Sequence, residues 1–252
     1  MRNTLIKNLS RNGNTFYFSE AKSFLGLDSN VTKVILSRLE NRGAIERIEK
    51  GKYLIIPLNG EKGKYSLHEF VIGSMLVQPY CISYWSALHY YGLTEQIPNT
   101  VFIQTSSRKK KQHTQIFGVN YQIVRIKKDK IFGTRKEWIE EEQIILAGRE
   151  KCIIDCLDKP QFSGSIFEVA RALKDNSFDF NKLANYAIKI GNSGVIRRLG
   201  YLCELFNAEL DLPQLNTRNY LYLDPTMPHD GQKNARWRLI INVNEMDLSS
   251  LI

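Results

Sequence analysis

A polar helix followed at once by a short hairpin is the feature that most constrains the fold of this chain. The stretch "TKVILSRLENRG" (32–43) carries apolar residues at helical spacing, and "AIERI" and "KYLII" then form two strand-like runs. Gly43 is placed to end the helix, and Glu49, Lys50 and Gly51 are placed to form the turn between the strands. The polar face of this helix is either merely solvated or binds a ligand.

Two helices and a short strand are predicted ahead of this unit. Leu5, Ile6 and Leu9 give the first helix an apolar stripe, and "TFYF" (15–18) is an extended aromatic run. The predicted caps are Ser19 for the second helix and Asp28, Ser29 or Asn30 for the third. The order helix, strand, helix, helix and basic-tipped hairpin is typical of a winged helix-turn-helix, whose second motif helix enters the major groove of DNA.

A helical projection of residues 29–42 separates a core side from an outward side. We expect Val31, Val34, Ile35 and Leu39 to face the core. Hydrogen-bonding residues on the other side suit base edges and phosphates, and cations in the hairpin suit phosphates. The predicted DNA-binding residues are Asn30, Thr32, Lys33, Ser37, Arg38, Arg42, Lys50 and Lys52. A solvated surface helix is the alternative.

The rest of the chain is predicted to form a second, larger domain. Residues 58–65 are rich in Gly and Lys and form the expected linker between residues 1–57 and 66–252. Ser66 and Glu69 form a capping box that opens the next helix. Helical and strand patterns then follow in partly separate runs, so the expected class is α+β: an N-terminal winged helix-turn-helix followed by a larger mixed α/β domain.

A second basic centre lies in this larger domain. Residues 108–136 contain ten Lys plus Arg and one Asp, in a loop and its flanking strands. The candidate binding residues are Arg108, Lys109, Lys110, Lys111, Arg125, Lys127 and Lys128. Such a segment attracts phosphate backbones or an acidic protein face. It could act beside the hairpin on DNA, bind RNA or a protein partner, or only keep a sheet edge soluble.

Composition points to polyanionic partners and away from membranes. The chain has 35 Lys plus Arg against 26 Asp plus Glu, a formal net charge of +9. Its first residues lack the apolar core of a signal peptide, and no apolar run is long enough to span a bilayer. The four cysteines form no CxxC pair. We therefore expect a cytoplasmic, nucleoid-associated protein without a membrane partner.

No arrangement of residues predicts catalysis. The four histidines are far apart in sequence and show no metal-ligand spacing, and Asp155 and Asp158 are expected to form a solvated helix end. "GNSG" (191–194) is similar to part of a nucleotidyltransferase signature but lacks the acidic pair that would hold Mg²⁺. We expect no enzyme, no metal and no cofactor.

The chain resembles the AbiEi-type antitoxins, transcriptional regulators of type IV toxin–antitoxin (abortive infection) systems. The resemblance rests on "LSRLENRGAIERIEKGKYLI" and "YCISYWSALHYYGLTEQIPNTVFIQT" (80–105). It extends to "REKCIIDCLDKPQFSG" (149–164), "GVIRRLGYLCE" (194–204) and "GQKNARWRLIINV" (231–243), in the family's order. Arg197 and Arg198 match a pair of the family and are equally typical of helix packing.

The resemblance implies two activities and a division of labour between the two domains. The N-terminal domain would bind inverted repeats in the chain's own promoter, with two copies per operator, and repress the operon. The C-terminal domain would neutralise a nucleotidyltransferase-like toxin, most plausibly through the basic segment. Two alternatives stay open: a stand-alone regulator without a toxin, and an RNA-binding or protein-interaction module that uses residues 106–136.

Overall fold

The first three helices and three strands form one small unit. The computed structural model describes residues 2–56, 67–174, 178–214, 216–244 and 247–248. The first stretch comprises α1 (Arg2–Leu9), β1 (Thr15–Tyr17), α2 (Phe18–Leu25), α3 (Ser29–Asn41), β2 (Ile45–Glu49) and β3 (Lys52–Ile55). This is the order that the sequence predicts. The β2–β3 hairpin is called the wing below.

The three strands cover the helices with an antiparallel sheet in the order β1-β3-β2. Apolar residues of α1 and α3 pack against it around a core of Leu5, Leu9, Phe16, Ala21, Leu36, Leu39, Ile45, Tyr53 and Ile55. The prediction that Ser19 caps α2 is wrong, because the helix begins at Phe18 and its cap position is Tyr17. The Tyr17 N–H instead donates to the Glu20 carboxylate at 2.6 Å.

A six-stranded mixed sheet forms the centre of the remaining chain. The strands of this sheet and the two helices that precede β4 and β5 are α4 (Glu69–Leu76), β4 (Cys81–Ile82), α5 (Tyr84–Tyr90), β5 (Thr100–Thr105), β6 (His113–Ile116), β7 (Val119–Arg125), β8 (Thr134–Ile139) and β9 (Glu142–Ala147). The strand order is β6-β7-β5-β4-β9-β8, with β5–β7 and β4–β9 parallel. Strand β6 lies within the stretch predicted to be a basic loop.

Helix α4 covers one face of this sheet, where Phe70 and Leu76 pack on Ile103 and Ile123. Ser66, the predicted cap of this helix, lies outside the described residues. His68 takes the cap position, where its Nδ1 accepts a hydrogen bond from the Phe70 N–H at 3.2 Å.

The other face of the sheet packs on a layer of helices. These are α5, α6 (Arg149–Asp158), α7 (Ile166–Lys174), α8 (Phe180–Lys189) and α9 (Ser193–Leu205), followed by β10 (Leu221–Tyr222), β11 (Gln232–Asn234) and β12 (Leu239–Ile241). Arg198 is buried and donates to the carbonyls of Leu223, Leu157 and Tyr222. Together with Arg197, which donates to the Asn219 carbonyl at 3.1 Å, it holds α9 to the closing strands. The arrangement is α+β, as predicted.

The wing packs on the second part of the chain as well as on its own unit. Ile48 and Leu54 are buried in one apolar cluster with Phe70, Leu76 and Ile103. The predicted linker 58–65 lies outside the described residues, and the division into residues 1–57 and 66–252 stays a proposal. The shared cluster means that the wing and the six-stranded sheet hold one another in a fixed orientation.

Glu142, at the start of β9, ties the first unit to the large sheet. Its Oε1 accepts hydrogen bonds from the Asn14 N–H at 2.8 Å and the Thr15 hydroxyl at 3.5 Å. Gly13 makes room for this carboxylate, since a Cβ there would lie 2.0 Å from Oε1. Burial raises the pKa of the Glu142 carboxyl, although the hydrogen bonds from Asn14 and Thr15 oppose that rise.

We expect Glu142→Gln to raise the Tm at pH 7.5 and Glu142→Ala to lower the stability by about 1–2 kcal/mol. The amide oxygen of Gln still accepts from Asn14 without burying a charge, whereas Ala leaves that N–H unpaired. A carboxyl whose folded-state pKa is raised binds protons more tightly when folded, so acidification towards that pKa stabilises the wild type. The Tm advantage of Glu142→Gln should therefore shrink from pH 7.5 to pH 5. An advantage that grows on acidification would contradict this account.

Candidate nucleic-acid interface

Helix α3 begins at a strong cap and ends at a glycine. The Asp28 carboxylate accepts from the backbone N–H groups of Asn30 at 2.7 Å and Val31 at 3.1 Å. These two bonds, that of Val31 first, lower the pKa of Asp28 and outweigh the small opposing effect of burial. Gly43, at φ +70°, follows the helix and turns the chain into β2. The helix is therefore fixed at both ends.

The buried side of α3 differs from the predicted one. Thr32, Leu36 and Leu39 face the core, with Ile35 half-buried. The assignment of Thr32 to DNA contact is wrong, because its side chain is fully buried and its hydroxyl donates to the Asp28 carbonyl at 2.8 Å. The prediction that Val31 and Val34 face the core is also wrong: they are 42% and 48% exposed.

The outward side of α3 carries most of the residues predicted to bind DNA. Exposed side chains on it are Asn30, Lys33, Ser37, Arg38 and Asn41, and Arg42 follows the last turn. The half-buried Glu40 is the only carboxylate within Ser29–Asn41. This surface can donate hydrogen bonds to acceptors on base edges and can neutralise phosphates.

Of the two wing lysines predicted to contact DNA, only one stands at the tip. The turn between β2 and β3 uses Gly51 at φ +75°, and Lys50 beside it is exposed. Lys52 is half-buried, and its Nζ donates to Glu49 Oε2 at 2.9 Å and to the Leu76 carbonyl at 2.7 Å. The structure therefore places the ammonium group of Lys52, a predicted DNA contact, at the end of α4 rather than at the tip of the wing.

Lys109 of the basic segment binds the same place. Its Nζ donates to Glu49 Oε2 at 3.0 Å and to the Leu76 carbonyl at 2.6 Å. Burial would raise the pKa of Glu49, but hydrogen bonds from Lys52 and Lys109 outweigh it and hold that pKa below its ordinary value. Burial also lowers the pKa of Lys109. This residue therefore joins the wing to the large sheet, whereas it was predicted to belong to a basic patch that binds DNA or a partner.

The other predicted cations of the basic segment are exposed. They are Arg108, Lys110, Lys111, Arg125, Lys127 and Lys128. Strands β5 and β7 are parallel, with Thr105 opposite Arg125, so the segments that follow both strands lie at the same end of the sheet. The Lys109–Glu49 bond places this end of the sheet next to the turn of the wing. The sequence could not predict that contact, because 60 residues separate its two members.

The groups considered for catalysis are engaged in the fold. Ser83 donates to Asp155 at 2.7 Å, Lys151 also binds Asp155, and Asp158 accepts from Lys130 and Asn192. The expected solvated helix end is therefore wrong. All four cysteines are buried, and burial raises the pKa of each thiol. Across the described ranges, no group of three or more His, Cys, Asp or Glu is placed to hold a metal ion.

Among the same residues, no helix has the length and apolar character that crossing a lipid bilayer requires.

Comparison with known proteins finds a family match for the first unit. Residues 3–56 match the family model described as "Transcriptional regulator, AbiEi antitoxin", which supports the resemblance found in the sequence over this part of the chain. No curated protein sequence matches the chain. The crystal structure of the RV2827C protein from Mycobacterium tuberculosis matches 98% of this chain and 92% of its own, with a TM-score of 0.69 and 14% identity. At this identity the match shows a shared fold, and it extends well past residue 56.

Proposed function

We propose that this chain, whose first unit is of the AbiEi antitoxin regulator type, represses its own operon by binding inverted repeats upstream of it. The outward side of α3 would choose the site and the wing would contact the backbone. Through residues 66–252 the chain would neutralise a nucleotidyltransferase-like toxin. The family match over residues 3–56 supports a transcriptional regulator of the antitoxin type.

The outward surface of α3 is the observation that carries the proposal. Asn30, Lys33, Ser37 and Arg38 are exposed on one side of a helix whose other side is anchored by Leu36 and Leu39. A rigid helix with donors and cations on its free side suits the major groove, since base contacts need side chains held at fixed positions. Docking of the wing on the large sheet keeps the helix unit from moving independently of the rest.

The position of the basic segment supports a role beside the wing on DNA. Lys109 anchors the segment to Glu49, while Arg108, Lys110 and Lys111 stay exposed. Lys50 and these cations would then neutralise phosphates on the same duplex. The alternative, a partner-binding surface, is tested by Arg108→Glu with Lys110→Glu. On our account this pair weakens promoter binding, whereas a pure partner surface would lose toxin neutralisation and keep full repression.

Two wing lysines separated by one residue allow a matched test of the DNA contact. We expect Lys50→Ala to reduce the slope of log K against log salt by about 1, with equal weakening on all sequences, because it removes one phosphate contact. Lys52→Ala should leave that slope unchanged and cost about 0.5–1 kcal/mol of stability. Salt titrations of promoter binding and thermal melts measure both. The reverse pattern would show that Lys52, not Lys50, faces DNA.

Co-expression with the neighbouring gene tests the whole proposal. The chain should rescue growth when that gene encodes a toxin and should repress a reporter that carries the upstream DNA. Repression without rescue would leave a stand-alone regulator. Rescue without repression would remove the DNA-binding part of the proposal and favour a protein-interaction module.

A further inference from the structure

Two valines stand on the outward side of α3, among the residues proposed to meet DNA. Val34 is 48% exposed and Val31 is 42% exposed. Residues three and four apart are neighbours on a helix surface, so Val34 is bordered by Val31, Asn30, Ser37 and Arg38. Those three polar neighbours are themselves exposed. The result is a small apolar spot surrounded by hydrogen-bonding and cationic groups.

The surroundings of this spot favour a nucleic-acid partner over a protein partner. Protein interfaces centre on larger apolar areas and carry few lysines. Here Lys33, Arg38 and Arg42 are exposed, and the half-buried Glu40 is the only carboxylate within Ser29–Asn41. This density of cations suits a polyanion. The apolar group that contacts the two valines should therefore belong to a polyanionic ligand.

The major groove of DNA offers one apolar group, the 5-methyl group of thymine. We propose that Val34, with Val31 beside it, contacts thymine 5-methyl groups and thereby selects A·T pairs at those positions of the operator. The inference rests on the proposed function and names its specificity-determining residues. Branched side chains present two methyl groups each and have little conformational freedom on a helix, so the contact needs no reordering.

The spacing of the two valines fixes the spacing of the thymines. The Cβ atoms of residues three apart on a helix are about 5–6 Å apart, and base pairs rise by about 3.4 Å. The two methyl groups should therefore belong to neighbouring base pairs or to pairs separated by one step.

The experiment replaces thymine by deoxyuridine, which removes only the methyl group. The full chain is titrated with footprinted upstream DNA in which each thymine of one half-site is replaced in turn. At one or two such positions, binding should weaken about fourfold per methyl group. Val34→Ala should bind more weakly and lose discrimination between thymine and deoxyuridine at one of them, whereas Val34→Thr, which keeps one methyl group, should retain part of it. Ile188 on α8 is also an exposed, β-branched apolar residue, so Ile188→Ala is the matched control. It should change neither the affinity nor the discrimination between thymine and deoxyuridine.

Equal affinity for thymine and deoxyuridine at every position would overturn the inference and leave the proposed function standing. Weaker binding by Val34→Ala with discrimination intact would overturn it too, as would a change in oligomeric state that accounts for the loss, since the valines would then contact a protein. If the wild type binds no upstream DNA, the proposed function itself fails.

Discussion

Reversing two charges on the outward side of α3, with Lys33→Glu and Arg38→Glu, should weaken promoter binding by roughly 100-fold or more. Each of these side chains is exposed and positioned to contact phosphate or a base acceptor. Loss of one good contact costs about 1–3 kcal/mol, and each new carboxylate adds repulsion from the DNA backbone. Neither residue packs in the core, so the thermal unfolding of the variant should match that of the wild type.

The matched control is Lys174→Glu, a charge reversal at the exposed end of α7 in the helical layer. Electrophoretic mobility shifts at fixed salt measure all three proteins on the same upstream DNA. Comparable losses in the control and in the α3 variant would mean that net charge alone drives binding. An unchanged affinity in the α3 variant would reject the helix assignment.

Truncating Leu54 should loosen the joint between the wing and the large sheet. Leu54 is 1% exposed and lies in the apolar cluster that contains Phe70 and Leu76. Leu54→Ala should cost about 2–5 kcal/mol, since it removes a buried side chain and leaves a cavity. Because the side chain contacts α4 rather than α3, hydrogen exchange should accelerate in Glu69–Leu76 as well as in the wing.

Leu36→Ala is the matched control, because Leu36 is equally buried but belongs to the separate core of the first unit. It should accelerate exchange in α3 and leave Glu69–Leu76 protected. If Leu54→Ala does not accelerate exchange in α4, the two parts of the chain are independent and the fixed orientation proposed for the wing is wrong.

The sequence predicted the elements of the first unit well because their signals are local. Asp28 caps α3 through backbone groups two and three residues away, and Gly43 and Gly51 mark turns that need positive φ. The sequence also allows a packing role for the pair Arg197 and Arg198, beside their match to a pair of the family. Both proved to hold α9 to backbone carbonyls.

The rotation of α3 was mispredicted for a physical reason. The projection assigns Val31 and Val34 to the core because they are apolar, and Thr32 is predicted to bind DNA because it is polar. A threonine in a helix can donate its hydroxyl to the carbonyl four residues earlier, which removes the cost of burying it. Thr32 does so with Asp28, and Thr32, Leu36 and Leu39 form the buried line at i, i+4 and i+7. The position of Leu36, four residues after Thr32 and three before Leu39, is the sequence signal for this buried side of the helix.

Contacts between distant parts of the chain were beyond sequence reasoning. Lys52 and Lys109 look like surface cations in a basic hairpin and a basic loop, and both instead bind Glu49 and the Leu76 carbonyl. The last carbonyls of a helix have no partner within the helix, and the Leu76 carbonyl lies 24 residues from Lys52 and 33 residues from Lys109 along the chain. The residues next to each lysine in the sequence give no sign of this distant acceptor. The exposed cations that remain define the surface available to a polyanion.

A nuclease footprint of the full chain on DNA upstream of its own gene shows whether α3 selects the binding site. We expect two protected half-sites related by an inverted repeat, with centres about one helical turn or a multiple of it apart. Protection should disappear with Lys33→Glu and Arg38→Glu and persist with Lys174→Glu. Protection that is unchanged by the α3 variant would contradict the account, because another surface would then choose the site.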